Sequence, residues 1–362
     1  MSNPSIVVTP IPEESTGYPC TLQVIDKPIP EISDDEVLLD MQKVGICGSD
    51  VHYWTHGRIG DFIVENEMIL GHEAAAKVIK IGSKVTNLKV GDRVAIEPGY
   101  PLENDNFSKT GRYNLSPVFF CATPPDDGCL SRFYKHKAAF CYKLPDNLSY
   151  EEGALIEPLS VGIHACKRGD VSLGKNVLIM GAGTIGLVNL LVAKAMGAAK
   201  IVVVDVNQDR LKMAEEMGAF ATISPKRENS AKETSEIIKK AFDNSGKVMP
   251  DVTIECTGVE ICIQIAVYST VSGGCAIMVG MGKDIVNFPI LDACCREVDI
   301  RGIFRYCNTW PTAINMLSSG AVDVKKLVTS RVKLTDARKG FDMTRTGQGV
   351  KTMIDCSEEG NK

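Results

Sequence analysis

Cys47 lies in Val44-Gly-Ile-Cys-Gly-Ser-Asp50, and His72 and Glu73 follow in Leu70-Gly-His-Glu-Ala74. A thiolate, an imidazole and a carboxylate are donors that zinc accepts. Three protein donors leave a fourth position for water or substrate, whereas structural sites are closed by four. The residue types therefore point to an open, catalytic metal site. Their spacing lies outside the short repeated ligand spacings of structural zinc motifs, so the inference leans on what lies downstream. His72 and Glu73 are also sequential. On a regular strand they would face opposite sides, and both reach one metal only if the backbone bends there. Glu157, in Ile156-Glu-Pro-Leu159, is the alternative third donor.

Gly181-Ala-Gly-Thr-Ile-Gly186 follows the apolar run Val177-Leu-Ile-Met180 and opens a helix-like stretch through Met196. A second apolar run, Ile201-Val-Val-Val204, ends at Asp205. Strand, glycine turn, helix, strand and acid in this order form a dinucleotide-binding βαβ unit. Gly181, Gly183 and Gly186 let the backbone approach a pyrophosphate, which rests on the helix N-terminus. A carboxylate at Asp205 accepts hydrogen bonds from the adenosine ribose and repels a 2′-phosphate, so NAD is favoured over NADP. Arg210 is the counterweight, placed to bind a phosphate or to lie over the adenine. An open zinc site joined to a dinucleotide fold predicts hydride transfer, with the metal polarising an alcohol oxygen and nicotinamide accepting hydride.

Nearly the whole chain resembles the zinc-containing medium-chain dehydrogenases, and among them the animal-type polyol dehydrogenases. The resemblance rests on Val44-Gly-Ile-Cys-Gly-Ser-Asp-Val-His-Tyr-Trp54, Gly57-Arg-Ile-Gly60, Phe119-Phe-Cys-Ala-Thr-Pro-Pro-Asp-Asp-Gly128, Gly153-Ala-Leu-Ile-Glu-Pro-Leu-Ser-Val-Gly162 and Phe304-Arg-Tyr-Cys-Asn-Thr-Trp-Pro311. It implies an α/β chain with a GroES-like, β-rich catalytic domain (1–159 and 300–362) and an inserted Rossmann-type, doubly wound cofactor domain (160–299). It also implies reversible, NAD-dependent oxidation of polyols such as sorbitol, xylitol or L-iditol at the second carbon. Within the resemblance Cys47, His72 and Glu73 are the zinc ligands, and Glu157 touches the substrate or a bound water. Ser49 and His52 resemble a proton relay. Tyr53, Arg305 and Tyr306 would meet substrate hydroxyls, with Ile59 and Phe120 as the apolar wall. Ile185, Val279, Gly280, Met281, Phe304 and Arg305 join the glycines as cofactor contacts. A homotetramer is the family expectation.

Two departures from the family carry information. Residues 100–117 hold no cysteine, where many relatives keep four around a structural zinc. One zinc per subunit is therefore expected. Ala76 stands where the Gly-His-Glu signature usually has glycine, which bears on local packing.

Elsewhere the chain is unexceptional for a two-domain enzyme. At 362 residues it exceeds one ordinary core. A net charge of −5 gives no reason to expect nucleic acid or an anionic membrane as partner. The thirteen cysteines are scattered and odd in number, as suits reduced thiols in a cytoplasmic enzyme. Met1-Ser-Asn-Pro-Ser-Ile-Val-Val-Thr-Pro10 lacks the basic start and apolar core of a secretory signal. The uncharged stretch 176–193 is split by its glycine turn and predicts no membrane span. Alternating runs at 36–41, 76–81 and 92–96 predict small antiparallel strands, and 252–256 and 275–279 predict buried ones. The polar stretch 225–235 reads as a loop. A zinc-independent reductase on the same fold would lack Cys47, His72 and Glu73. A non-enzymatic dinucleotide-binding protein would tolerate loss of Glu157 or Arg305. All five residues are present.

Overall fold

The computed structural model describes residues 2–11 and 18–358; Met1, 12–17 and 359–362, assigned above to the catalytic domain, lie outside them. The chain forms two compact units. One comprises Met1–Glu157, Trp310–Gly320 and Val324–Lys362; the other comprises Pro158–Thr309 and Ala321–Asp323.

The first unit is built on a seven-stranded sheet. Its main path runs Cys141–Lys143, Arg93–Ile96, Glu73–Ile81, Glu36–Gly45, Lys351–Asp355, Val328–Lys333. Every pairing is antiparallel except that of the last two strands. The alternation in Glu36–Gly45 sends Val37, Leu39 and Met41 into the core, where they meet Val78, Val94 and Ile96. One edge of this strand serves two partners. Phe133–Lys137 pairs with residues 36–40, and Lys351–Asp355 takes over at 43–45. That handover carries Lys351 to the end of the sheet where Glu73 begins its strand. Ala76 is fully buried between Met41 and Val94, so the core accommodates its methyl group.

A helix, α1 (Gly48–His56), follows directly from Glu36–Gly45 through Ile46 and Cys47. The Asp50 carboxylate accepts a hydrogen bond from the Cys47 N–H at 2.9 Å, satisfying one of the orphan donors at the helix start. Gly57, at φ 71°, closes the helix and donates its N–H to the Tyr53 carbonyl. The cysteine-free lobe is tied back by Tyr113, whose hydroxyl donates to Glu97, while Tyr142 donates to the other Glu97 oxygen at 2.9 Å.

The second unit holds a six-stranded, wholly parallel sheet. Its order is Ala221–Ile223, Lys200–Val204, Asn176–Met180, Val252–Glu255, Cys275–Met278, Asp299–Gly302. This is the doubly wound order, whose switch point falls between the first and fourth strands in sequence. The central strands are buried on both faces, which is why they read as unbroken apolar runs.

Two expectations need revising. The strand Asp299–Gly302 pairs with Cys275–Met278, and the unit continues to Thr309, so a division near 300 cuts through the parallel sheet. Residues 231–235 are not loop: Ser230 caps the helix Ala231–Phe242, its side chain accepting from the Glu233 N–H while Glu233 accepts from the Ser230 N–H. The S-x-x-E capping signal was present but was outweighed by polarity.

Candidate functional site

Cys47, His72 and Glu73 offer ligand atoms that all lie within 4.8 Å of one another, and among the described residues no other trio of His, Cys, Asp or Glu side chains is so disposed. The bend required by sequential ligands is present. Gly71 adopts φ +92°, a region open chiefly to glycine, and a side chain there would also crowd Leu130. His72 therefore precedes the strand and Glu73 begins it. Both are buried, and Cys47 is half-buried at the start of α1.

Asp50 accepts from the Gly71 N–H at 2.9 Å, and its Oδ1 lies 3.5 Å from His72 Nδ1. At that separation the two approach without a formed hydrogen bond. With Nδ1 turned toward a carboxylate, Nε2 is the nitrogen left for a metal. Burial opposes charge on His72, but Asp50 and Cys47 more than offset it and push the imidazole well above its usual range. Burial likewise works against the charge on Asp50, and His72 overcomes it, holding the carboxyl below its ordinary value.

Lys351 completes the pocket. Its ammonium donates to both Glu73 oxygens at 2.6 Å and to the Ile46 carbonyl at 2.9 Å, so each of its protons has an acceptor. Burial lowers its affinity for the proton, but Glu73, Cys47 and Glu157 raise it further, leaving Lys351 above the ordinary lysine range. Gly45 faces Glu73 across the strand pair, and a Cβ there would overlap the carboxylate. Asp50, Glu73 and Glu157 are buried carboxylates beside a thiol, set against the Lys351 ammonium and the His72 imidazole. Such a pocket carries excess negative charge that a dication would balance, and its donor set suits zinc.

In the second unit the glycine turn is formed by close backbone contacts. Gly181 has φ +96°, and a methyl on Gly186 would overlap the Gly181 carbonyl oxygen. Gly183 caps the helix Thr184–Ala195, and a Cβ there would meet only Arg210 Nη1 at 3.9 Å, leaving an open cradle at the helix N-terminus. Asp205 follows the second strand directly and accepts from the Ala182 N–H at 2.6 Å and the Asn207 N–H at 2.8 Å. Beyond the fourth and fifth strands, Gly258 and Gly280 press backbone against backbone, which sets the position of the Val279-Gly280-Met281 segment. This cradle fits a dinucleotide.

Residues 33–146 match the alcohol dehydrogenase GroES-like domain family, and residues 184–319 match the zinc-binding dehydrogenase family. The chain is 58% identical to the sorbitol dehydrogenase of Gallus gallus over 92% of its length and 93% of that protein's. It is 59% identical to that of Homo sapiens over 93% of its length and 94% of that protein's. The chain belongs to the sorbitol dehydrogenase family of zinc-dependent medium-chain dehydrogenases. A solved Escherichia coli oxidoreductase of unknown specificity, 38% identical, superimposes with a TM-score of 0.88, covering 98% of this chain and 99% of the other. The chain is thus a dehydrogenase with GroES-like and Rossmann-type parts.

The remaining sequence-derived residues fall as follows. Ser49, His52 and Tyr53 share α1, with Ser49 half-buried, His52 exposed and Tyr53 buried. Burial and the neighbouring His56 hold the His52 imidazole below its ordinary value. Ile59 is half-buried and Phe120 buried, its ring 6.0 Å from that of His72. Glu157 is buried at the start of the helix Ile156–Arg168. In the second unit Ile185 and Val279 are half-buried and Met281 and Phe304 exposed. Arg305, at φ 54°, lies 4.6 Å over the Phe304 ring, and Tyr306 is buried. Sequence reasoning missed Asp50, Lys351 and Gly45. Asp50 had a signal, three residues past Cys47 at a helix start. Lys351 had none that local pattern could supply. None of the thirteen cysteines is in a disulfide, and among the described residues no helix is long and apolar enough to cross a membrane.

Proposed function

We propose that this dehydrogenase oxidises a polyol at its second carbon to the ketose, reversibly and with NAD, using one catalytic zinc per chain. The observation that carries the proposal is the Cys47, His72 and Glu73 trio, with donor atoms within 4.8 Å of one another. Bound zinc would polarise the substrate hydroxyl and lower its pKa, and bound NAD would accept the hydride.

The chain's own residues do the rest. Asp50 orients His72, and Lys351 holds Glu73 in register with the other two ligands. Glu157 binds substrate or water rather than serving as the third ligand. The hydroxyl proton leaves by way of the Ser49 hydroxyl to the His52 ring, which is exposed to solvent and kept neutral enough to accept it. Tyr53, Arg305 and Tyr306 contact substrate hydroxyls, and Ile59 and Phe120 supply the apolar wall. Asp205 receives the adenosine ribose, with Gly181, Gly183, Ile185 and Gly186 at the pyrophosphate, Arg210 beside the adenine and Val279, Gly280, Met281, Phe304 and Arg305 toward the nicotinamide. Residues 100–117 offer no thiolate for a second zinc. Sorbitol, xylitol and L-iditol are the candidate substrates, because the relatives carry the name sorbitol dehydrogenase. A cytoplasmic homotetramer is the assembly that the same kinship favours.

The test is initial rate on sorbitol and xylitol with NAD and with NADP, with metal content measured on the same sample before and after chelation. Chelator-sensitive oxidation with NAD and about one zinc per chain is expected. Turnover that survives complete metal removal would overturn the proposal. Full zinc loading without polyol turnover would move the substrate to another alcohol.

A further inference from the structure

The chain has five histidines. His72 and His136 are buried and His164 is half-buried; only His52 and His56 are exposed. These two are four residues apart on α1, hence one above the other on the same helical face. Their rings stack with centroids 4.2 Å apart and planes inclined by 16°. We propose that His52 and His56 form a second metal site, a two-imidazole chelate for a borderline divalent cation such as Zn²⁺ or Ni²⁺, separate from the Cys47 trio.

The hydrogen bonds around Thr55 prepare the site. The Thr55 hydroxyl donates its one proton to the Val51 carbonyl at 2.8 Å, so toward His56 Nδ1, also at 2.8 Å, its oxygen is the acceptor. His56 therefore carries its proton on Nδ1, and the lone pair on Nε2 is available. This is the arrangement of metal-ligating histidines, whose second nitrogen donates to a fixed acceptor. His52, held below its ordinary value by burial and by His56, keeps its lone pair at neutral pH. His56 also lies in the last turn of α1, where the helix dipole favours positive charge. The His52 ring is solvent-exposed and turns broadly about its last torsion, so its nitrogen can be brought to the ion that His56 Nε2 faces, and water can fill the ion's other positions.

Occupancy has a consequence that rests on the relay reading above. A cation on His52 takes the nitrogen that would receive the substrate's proton, and alcohol oxidation slows. The site then acts as a brake at high metal concentration while the catalytic metal stays in place.

The experiment titrates Ni²⁺ into the zinc-loaded enzyme by calorimetry. One Ni²⁺ per chain is expected, with His56→Gln binding about a hundredfold more weakly because the chelate is lost. Thr55→Val is expected to weaken binding about tenfold by releasing the His56 tautomer. Cys294 and Cys295 are the exposed thiols, so the same titration is run on a variant with both changed to serine, where unchanged affinity is expected. Equal Ni²⁺ binding by wild type and His56→Gln, or loss of binding in the serine variant, would overturn the proposal. In parallel, Ni²⁺ is expected to slow polyol oxidation by wild type, whereas His56→Gln, compared with its own rate without Ni²⁺, is not slowed. If Ni²⁺ binds through the pair and turnover does not slow, the site stands and His52 leaves the relay.

Discussion

The two parts of the catalytic apparatus are built from different materials. The dinucleotide cradle is made of backbone: Gly181, Gly183 and Gly186 lie within one turn, and what matters is the absence of side chains. The metal pocket is made of side chains brought from four separate stretches, around residues 47–50, 72–73, 157 and 351, with charge balancing charge. A backbone site fails when an atom is added. A charge-balanced site fails when a partner is removed, and another cation can repair it.

Removing the ammonium is expected to have the largest effect. In chelator-treated Lys351→Met, Glu73 is buried without its cation, and breaking such a pair costs about 3–5 kcal/mol. With zinc added, the metal takes over the pairing and most of the loss is recovered. Urea unfolding midpoints in chelator and in zinc check this; an equal loss in both would show that lysine and metal do not share the carboxylate. Adding a methyl to the backbone site comes next. Gly186→Ala forces a Cβ onto the Gly181 carbonyl and is expected to cost about 3 kcal/mol. Saturating NADH should recover little of it, because a filled cradle has no room for the ligand. Thermal melts with and without NADH decide the point.

A third carboxylate sharpens the contrast. Burial pushes Glu97 up to about 7, with Tyr113 and Tyr142 pulling the other way, and it has phenols where Glu73 has an ammonium. Its folded value lies above the unfolded 4.5, so the folded chain holds the proton more tightly. That contribution is complete below pH 4.5 and is lost as pH rises to about 7. Glu97→Gln is expected to flatten stability across this window and to gain about 1–2 kcal/mol at pH 8. A pH series of melting temperatures on both proteins reads the difference, and an unchanged slope would exclude Glu97 as its source.

The same difference explains what sequence could reveal. The cradle and its acid lie within one βαβ unit, and the chemistry of a glycine turn is local, so the run from Val177 to Asp205 could be read directly. Cys47, His72 and Glu73 were recognisable as donor types, and even the bend before Glu73 could be required in advance. What secures them could not be read. Lys351 is an ordinary lysine until the strand Lys351–Asp355 pairs beside Val44 and Gly45. The Gly45 requirement exists only because Glu73 lies across from it. The division of the chain near 300 was misplaced for a similar reason, since an edge strand such as Asp299–Gly302 has weak apolar character of its own.

The hydrogen bonds between Lys351 and Glu73 span 278 residues. On a ribosome adding about 5–20 residues per second, that separation is roughly 15–55 s of synthesis. Throughout that interval the nascent chain already holds Cys47, His72 and Glu73, but not the cation that Glu73 will be buried with. A metal ion is the other partner able to satisfy the carboxylate early. The order in which the chain is made therefore keeps Glu73 hydrated until Lys351 or a metal ion is there to be buried with it.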